Sequence, residues 1–248
     1  GTGRTGSHGA ARAWAARRRG RRARVDRPEE ARRAKRARIA GQDAEIVEAG
    51  SFLEESRERA ARFSQESGWY NLVDGMEPEM LPGTATIACE VLEQVPEADV
   101  IFVPVGDSTL IRGVAFAAKK LRPGIRIVGV QAERAPAYAL SFAKGHAVST
   151  ETSDTIADGL AVREASAENV QEIITQVEEF VLVSEDEMLR AVRHLLLDEH
   201  VLAEPAGAAT TAALLKGAAR HEKKNVILLI TGSNIREEML KRALALPV

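Results

Sequence analysis

The sequence predicts an α/β fold of two open parallel-sheet lobes. Three observations carry that prediction. Stretches of helical period alternate with short apolar runs along most of the 248 residues. Residues 100–105, 125–131 and 226–231 are almost continuously apolar, the pattern of parallel strands buried on both faces. Residues 74–82 are rich in Gly, Pro and Met and interrupt the alternation, so the lobes are expected at 1–75 and 76–248.

In the first lobe a helix is expected over 7–19, after glycines at 3, 6 and 9, and a short strand over 22–25. Pro28 begins a charged helix that Gly41 ends. Residues 44–48 alternate like a strand, 52–66 form an amphipathic helix, and 69–73 are again strand-like. This α-β-α-β-α-β rhythm predicts a small three-layer lobe. In the second lobe helices are expected over 84–94, 110–120 and 135–143, with strands over 100–105 and 125–131. Residues 179–183 form a strand. Ser184 then caps a helix to about 197, with Glu187 three positions on as a capping box. An alanine-rich helix over 205–218, a last buried strand over 226–231 and a short helix over 237–246 complete the chain.

Composition bounds the function. At 45% apolar residues the chain can bury a sizeable core. The net charge of −2 hides an asymmetry, since residues 1–40 hold 14 Arg or Lys against 3 acidic residues. Aromatic partners for stacked bases are scarce there, so this is a solvated helical face rather than a nucleic-acid surface. The single cysteine, Cys89, excludes an intrachain disulfide and points to a reducing compartment. Its helical, apolar surroundings read as a buried small hydrophobe. No apolar run is long enough to span a bilayer, and no signal-peptide core precedes the first helix. A cytoplasmic protein is therefore expected. The missing initial Met fits a truncated chain or a fragment.

Ligands of open α/β sheets bind at the carboxyl ends of strands, where loops lead into helix N-termini. The first such place is Phe102-Val103-Pro104-Val105-Gly106-Asp107-Ser108-Thr109-Leu110. A buried strand runs into a small-residue loop and a helix, whose N–H groups and dipole suit an anion. Ser108 and Thr109 are candidate hydroxyl donors, whereas a carboxylate at Asp107 would repel a phosphate. The second place is Ile230-Thr231-Gly232-Ser233-Asn234, small polar residues following an apolar run. His146, His194, His200 and His221 show no ligand spacing and read as surface residues. Asp154 and Asp158 read as loop caps.

Together these segments resemble the threonine/serine dehydratases. Thr5-Gly6-Ser7-His8-Gly9 is similar to that family's Ser/Thr-Gly-Asn-His-Gly loop, with Ser7 for Asn. Residues 103–113 are similar to Pro-Val-Gly-Gly-Gly-Gly-Leu-Ile-x-Gly, with Asp107, Ser108 and Thr109 for glycines. The most specific matches are Thr155-Ile156-Ala157-Asp158-Gly159-Leu160-Ala161-Val162 and Ala203-Glu204-Pro205-Ala206-Gly207-Ala208-Ala209.

The resemblance implies a fold type II enzyme with pyridoxal 5'-phosphate in the cleft between two lobes, and a small amino acid as substrate. Gly106, Asp107, Ser108, Thr109 and Leu110 would hold the cofactor phosphate. Thr231 would hydrogen-bond the pyridine nitrogen, and Ser7 would meet the cofactor ring. Thr5, Gly6, His8, Gly9 and Asp158 would line the substrate pocket, His8 mainly by packing. Glu204 belongs to the matched helix start. Such enzymes join the cofactor to a lysine as a Schiff base, and the same amine handles the α-proton. None of the eight lysines stands in a segment like the family's. The larger lobe is therefore expected to lack an upstream portion, and its exposed edge predicts a homodimer. The implied activity is the conversion of L-threonine or L-serine to a 2-oxo acid and ammonia. The alternatives are an amino-acid racemase or other β-eliminating relative, and a non-catalytic remnant that binds a phosphate ligand or a partner. Some relatives hold a divalent ion through carboxylates after the strand matching 125–130. Gln131 and Ala137 stand at those places, so no metal site is expected.

Overall fold

The computed structural model describes residues 7–27, 39–48, 53–73, 75, 77–217 and 221–246. Its contacts divide the chain into two compact units, Gly1–Glu77 and Pro78–Val248.

In the first unit, helix α1 (Ser7–Arg18), strand β1 (Arg24–Arg27), strand β2 (Glu45–Glu48) and helix α2 (Leu53–Ser67) follow in order. β1 and β2 pair in parallel, with Val25 opposite Ile46. Ala13, Val25 and Ile39 form a small core. Beside it Arg24 forks onto the fully buried Asp26, with bonds of 3.0 and 2.8 Å. The face of Phe63 covers the guanidinium at 3.9 Å. Arg17 is also spoken for, by Asp43 at 3.2 Å. Part of the basic segment is thus balanced within its own unit.

The second unit begins with helix α3 (Leu81–Gln94) and then builds a four-stranded parallel sheet. Its elements are β3 (Val100–Pro104), α4 (Thr109–Leu121), β4 (Arg126–Ala132), α5 (Ala137–Lys144), α6 (Ala167–Gln176), β5 (Glu179–Val183), α7 (Glu185–Leu197), α8 (Pro205–Gly217), β6 (Val226–Leu228) and α9 (Glu237–Ala245). The strand order is β5-β4-β3-β6. The apolar run of β3 is explained by its two faces. Val100 and Phe102 pack with Met188 of α7 and Ala209 of α8, while Ile101 and Val103 pack with Ala88 of α3 and Ile111 of α4. The capping box of α7 forms as its sequence requires, with Ser184 Oγ accepting from Glu187 N–H and the Glu187 carboxylate accepting from Ser184 N–H at 2.7 Å. No helix of the described residues is long and apolar enough to cross a membrane.

Two expectations are corrected, one helix was missed, and one expected helix lies almost wholly outside the described residues. Residues 69–73 form no strand. Their groups are taken by the packing of α2 and α1 instead: Trp69 meets the edge of Phe63 at 5.5 Å, and Arg12 donates to the Leu72 carbonyl at 3.1 Å. The sheet of the first unit is accordingly two-stranded among the described residues. The last strand ends at Leu228 and is half-buried rather than buried, with Ile230 and Thr231 exposed beyond it. Helix α6 was not foreseen. Its inward residues Asn169, Val170 and Ile173 keep helical spacing, but a polar residue leads the stripe and the Ile-Ile-Thr run is β-branched. The helix expected from Pro28 lies almost wholly outside the described residues.

Candidate functional site

The segments singled out in the second unit meet at the carboxyl ends of its strands through close approaches, and those at Gly106 and Gly207 are to backbone, where a side chain would clash. A methyl group added at Gly106, after β3, would lie 2.2 Å from the Gly159 carbonyl oxygen. One added at Gly159 would lie 3.0 Å from Ala206 Cβ, at the start of α8. One at Gly207 would lie 2.4 Å from the Gly232 carbonyl oxygen, and one at Gly232 would lie 2.2 Å from Glu204 Oε1. Glu204 N–H also donates to the Gly232 carbonyl at 2.8 Å. Loops 105–108, 154–160 and 231–234 and the start of α8 therefore form one contiguous surface.

The first loop is a turn into α4. Val105 N–H still bonds the Val130 carbonyl at 2.8 Å, so the loop leaves directly from the sheet. Ser108 then takes a left-handed conformation, φ 74° and ψ −8°, at the N-terminal boundary of α4. Its side chain is buried and its hydroxyl is engaged. It donates to Tyr138 Oη at 3.2 Å and accepts from Asn169 Nδ2 at 3.0 Å. Ser108 is thus no outward hydroxyl donor, since the left-handed turn sends its side chain inward. Asp107 does not extend its carboxylate from the loop alone. Its Oδ1 accepts from Thr109 N–H at 3.0 Å and caps the helix. Among the described residues, no hydrogen bond engages the N–H groups of Gly106, Ser108 or Leu110. Three donors at the positive end of a 13-residue helix suit the phosphate of pyridoxal phosphate.

The neighbouring loops are fixed by groups the sequence did not flag. Glu185, at the start of α7, accepts from Thr155 Oγ1 at 2.8 Å and from Ile156 N–H at 2.9 Å. Asp158 follows on the surface, 3.9 Å from Arg236. Asp154 pairs with Arg134. Thr231 is exposed beside Gly232. In the first unit, Thr5 and Gly6 lie outside the described residues, Ser7 and His8 open α1, and Gly9 is buried within it.

Of the lysines, Lys119 is bound to the Ile125 carbonyl and Glu178, Lys216 to Glu187 and Glu133, and Lys241 to Glu237. Lys144, Lys223 and Lys224 are exposed, Lys120 lies over Phe116, and Lys35 is outside the described residues. No lysine belongs to the three loops. Of the histidines expected at the surface, His221 is half-buried, edge-on to Phe102 at 5.1 Å, and His194 pairs with Asp198 at 2.7 Å. Among the described residues no three His, Cys, Asp or Glu side chains cluster as metal ligands would.

Tyr138, Asn169 and Glu185 were not legible as site residues. Tyr138 and Asn169 stand far along the chain from Ser108, and only the fold joins them. Glu185 is one of three acids in the first turn of α7, and nothing local sets it apart from the other two.

The family model for pyridoxal-phosphate dependent enzymes matches residues 2–232. The L-threonine ammonia-lyase of Thermotoga maritima is 33% identical over 237 residues, 96% of this chain and 59% of that protein. The catabolic L-threonine dehydratase of Staphylococcus aureus is 32% identical over 93% of this chain and 67% of its own length. Among solved structures, maize serine racemase superposes with a TM-score of 0.91 at 29% identity, covering 98% of this chain and 75% of that one. A threonine deaminase from Solanum lycopersicum gives 0.91 at 26% identity, over 97% and 67%. The chain thus spans about three fifths of the length of the Thermotoga relative.

Proposed function

The chain belongs to the family of pyridoxal-phosphate dependent enzymes, and from that premise we propose that it is the cofactor-holding part of an ammonia-lyase acting on L-threonine or L-serine. The observation that carries the proposal is the turn into α4, with the N–H groups of Gly106, Ser108 and Leu110 free beside the helix N-terminus.

Gly106–Leu110 would hold the cofactor phosphate through backbone donors. Asp107 would keep its carboxylate on Thr109 N–H, so that its charge is partly spent on the helix. Thr231 would offer a neutral hydroxyl to the pyridine nitrogen. The cofactor, when bound, supplies an electron sink for carbanion chemistry at the amino acid's α-carbon. A hydroxyl partner makes that sink weaker than a carboxylate would, which favours loss of a β-hydroxyl over extended delocalisation. Asp158 would bind and orient the substrate. A lysine amine is needed to take the α-proton, and no lysine of the three loops supplies it. A homodimer in the cytoplasm completes the reading.

A racemase is the second reading, because serine racemases are among the most similar solved structures. Both readings are tested on the purified protein with pyridoxal phosphate and L-threonine or L-serine, with and without added methylamine as a substitute amine. The lyase reading expects 2-oxo acid above that formed by cofactor and amine alone. D-serine without 2-oxo acid would transfer the assignment to the racemase, and absence of both products would contradict each.

A further inference from the structure

Ser108 is a non-glycine residue held at φ 74° in the turn that opens α4. L-residues avoid this region because Cβ crowds the backbone, and they persist there when the surroundings over-determine them. The surroundings of Ser108 are specific. Its side chain is buried, at 1% exposure, with Tyr138 at 2% and Asn169 at 3%. Asn169 Nδ2, from α6, donates to Ser108 Oγ at 3.0 Å and lies 3.4 Å from Tyr138 Oη. Ser108 Oγ donates to Tyr138 Oη at 3.2 Å. Tyr138, from α5, accepts from Ser166 N–H at 3.3 Å, and its hydroxyl lies 3.5 Å from the Asp107 carbonyl. Helices α5 and α6 therefore both reach the hydroxyl of the residue that opens α4.

We propose that Asn169 and Tyr138 are positioning residues, which clamp the Ser108 hydroxyl and so hold the left-handed turn that aims the N–H groups of Gly106, Ser108 and Leu110 outward. The proposal deepens the reading of this loop as a phosphate cradle and rests on it for the ligand. The physical logic is an exchange. A glycine would adopt the turn without strain and need no clamp. A serine adopts it only while its buried hydroxyl is satisfied, because an unsatisfied one carries its own desolvation cost. The clamp then makes the loop conditional on α5 and α6, which a glycine loop would not be. Asn169 reaches the loop at Ser108 Oγ, and Tyr138 reaches it at Ser108 Oγ and at the Asp107 carbonyl.

The test is amide hydrogen exchange at Thr109 and Arg112, whose N–H groups bond Asp107 Oδ1 and the Ser108 carbonyl across the turn, in the ligand-free protein, for the wild type, Asn169→Ala, Ser108→Gly and the double variant. Loss of the amide should speed exchange at these positions about tenfold, the effect of losing hydrogen bonds to a buried hydroxyl. Ser108→Gly in the Asn169→Ala background should restore slow exchange, because glycine needs no clamp. A residue that merely packs α6 against α4 would give no such rescue. Tyr138→Phe keeps the ring and removes only the hydroxyl, and should give a smaller change in the same direction. It decides the matter if Asn169→Ala fails to fold. Unchanged exchange in both single variants, or a double variant as fast as Asn169→Ala, would overturn the clamp. Titration with inorganic phosphate reports separately on the underlying reading. Phosphate binding weakened in Asn169→Ala and restored in the double variant supports both. No phosphate binding by a wild type with the expected exchange pattern overturns the cradle and leaves the clamp standing.

Discussion

The carboxylate of Asp107 accepts the Thr109 N–H at 3.0 Å, one residue into the turn that faces the candidate ligand. The same group therefore serves the helix as a cap and presents negative charge beside the donors. Asp107→Asn keeps an oxygen for the cap and removes the charge. We expect inorganic phosphate to bind about threefold to tenfold more tightly to this variant, from relief of repulsion at intermediate distance and high effective dielectric. Asp107→Ala also loses the cap and should lower stability by about 1 kcal/mol. Isothermal titration and thermal melts read the two effects. Weaker phosphate binding by Asp107→Asn would mean that the carboxylate helps the ligand rather than opposing it.

Gly106→Ala should be destabilising and should abolish phosphate binding, since its methyl group would meet the Gly159 carbonyl at 2.2 Å and push two loops apart. The cost of such overpacking is about 1–3 kcal/mol. Gly83→Ala is the control, because nothing lies within 4 Å of a methyl group there and its helix gains from alanine. Chemical denaturation of the two variants side by side checks the contrast. Equal stabilities would show that the loops give way.

Glu185→Ala should release the loop that carries Asp158. It removes acceptors for Thr155 Oγ1 and Ile156 N–H, which together contribute about 2–3 kcal/mol locally. Limited proteolysis should then cut within residues 151–160 faster than in the wild type. A digestion pattern identical to the wild type would remove Glu185 from the account.

The pH dependence of stability has a defined acid component. Burial pushes the Glu187 carboxyl up, but hydrogen bonds from Ser184 and Lys216 outweigh it and hold the group below its ordinary value of 4.5. A folded value below the unfolded one means stability that is present above about pH 4.5 and lost as pH falls through the folded value. Lys216 shifts the other way. Burial lowers it, the bonds to Glu187 and Glu133 raise it above 10.5, and its contribution is lost only as pH rises through that raised value. Glu187→Gln retains a capping side chain and should flatten the melting temperature's fall below pH 4.5. Superimposable acid limbs for the variant and the wild type would contradict this.

The second unit was largely legible in the sequence because its central strands β3 and β4 are buried on both faces and its helix starts carry local signals. The apolar runs at β3 and β4 follow from helices on each side, and the Ser184–Glu187 box is readable within four residues. The glycines at 106, 159, 207 and 232 were visible as residues, but their mutual approaches are tertiary and have no local mark. Residues 69–73 show the reverse failure, a strand-like pattern whose aromatic found a ring to pack against instead of a ladder. Ser108 was read as an outward donor because its left-handed backbone cannot be inferred from a serine. Asn169 was invisible for a related reason: a buried amide is legible only once its partner is known.

The central claim is that the turn into α4 holds the cofactor phosphate. It is tested most directly by ¹H–¹⁵N correlation spectra of the uniformly labelled protein during titration with pyridoxal phosphate. The account predicts saturable shifts concentrated at the N–H groups of Gly106, Ser108 and Leu110, reversed by excess inorganic phosphate. Saturable cofactor binding that leaves these three amides unmoved, or no saturable binding at all, would contradict it.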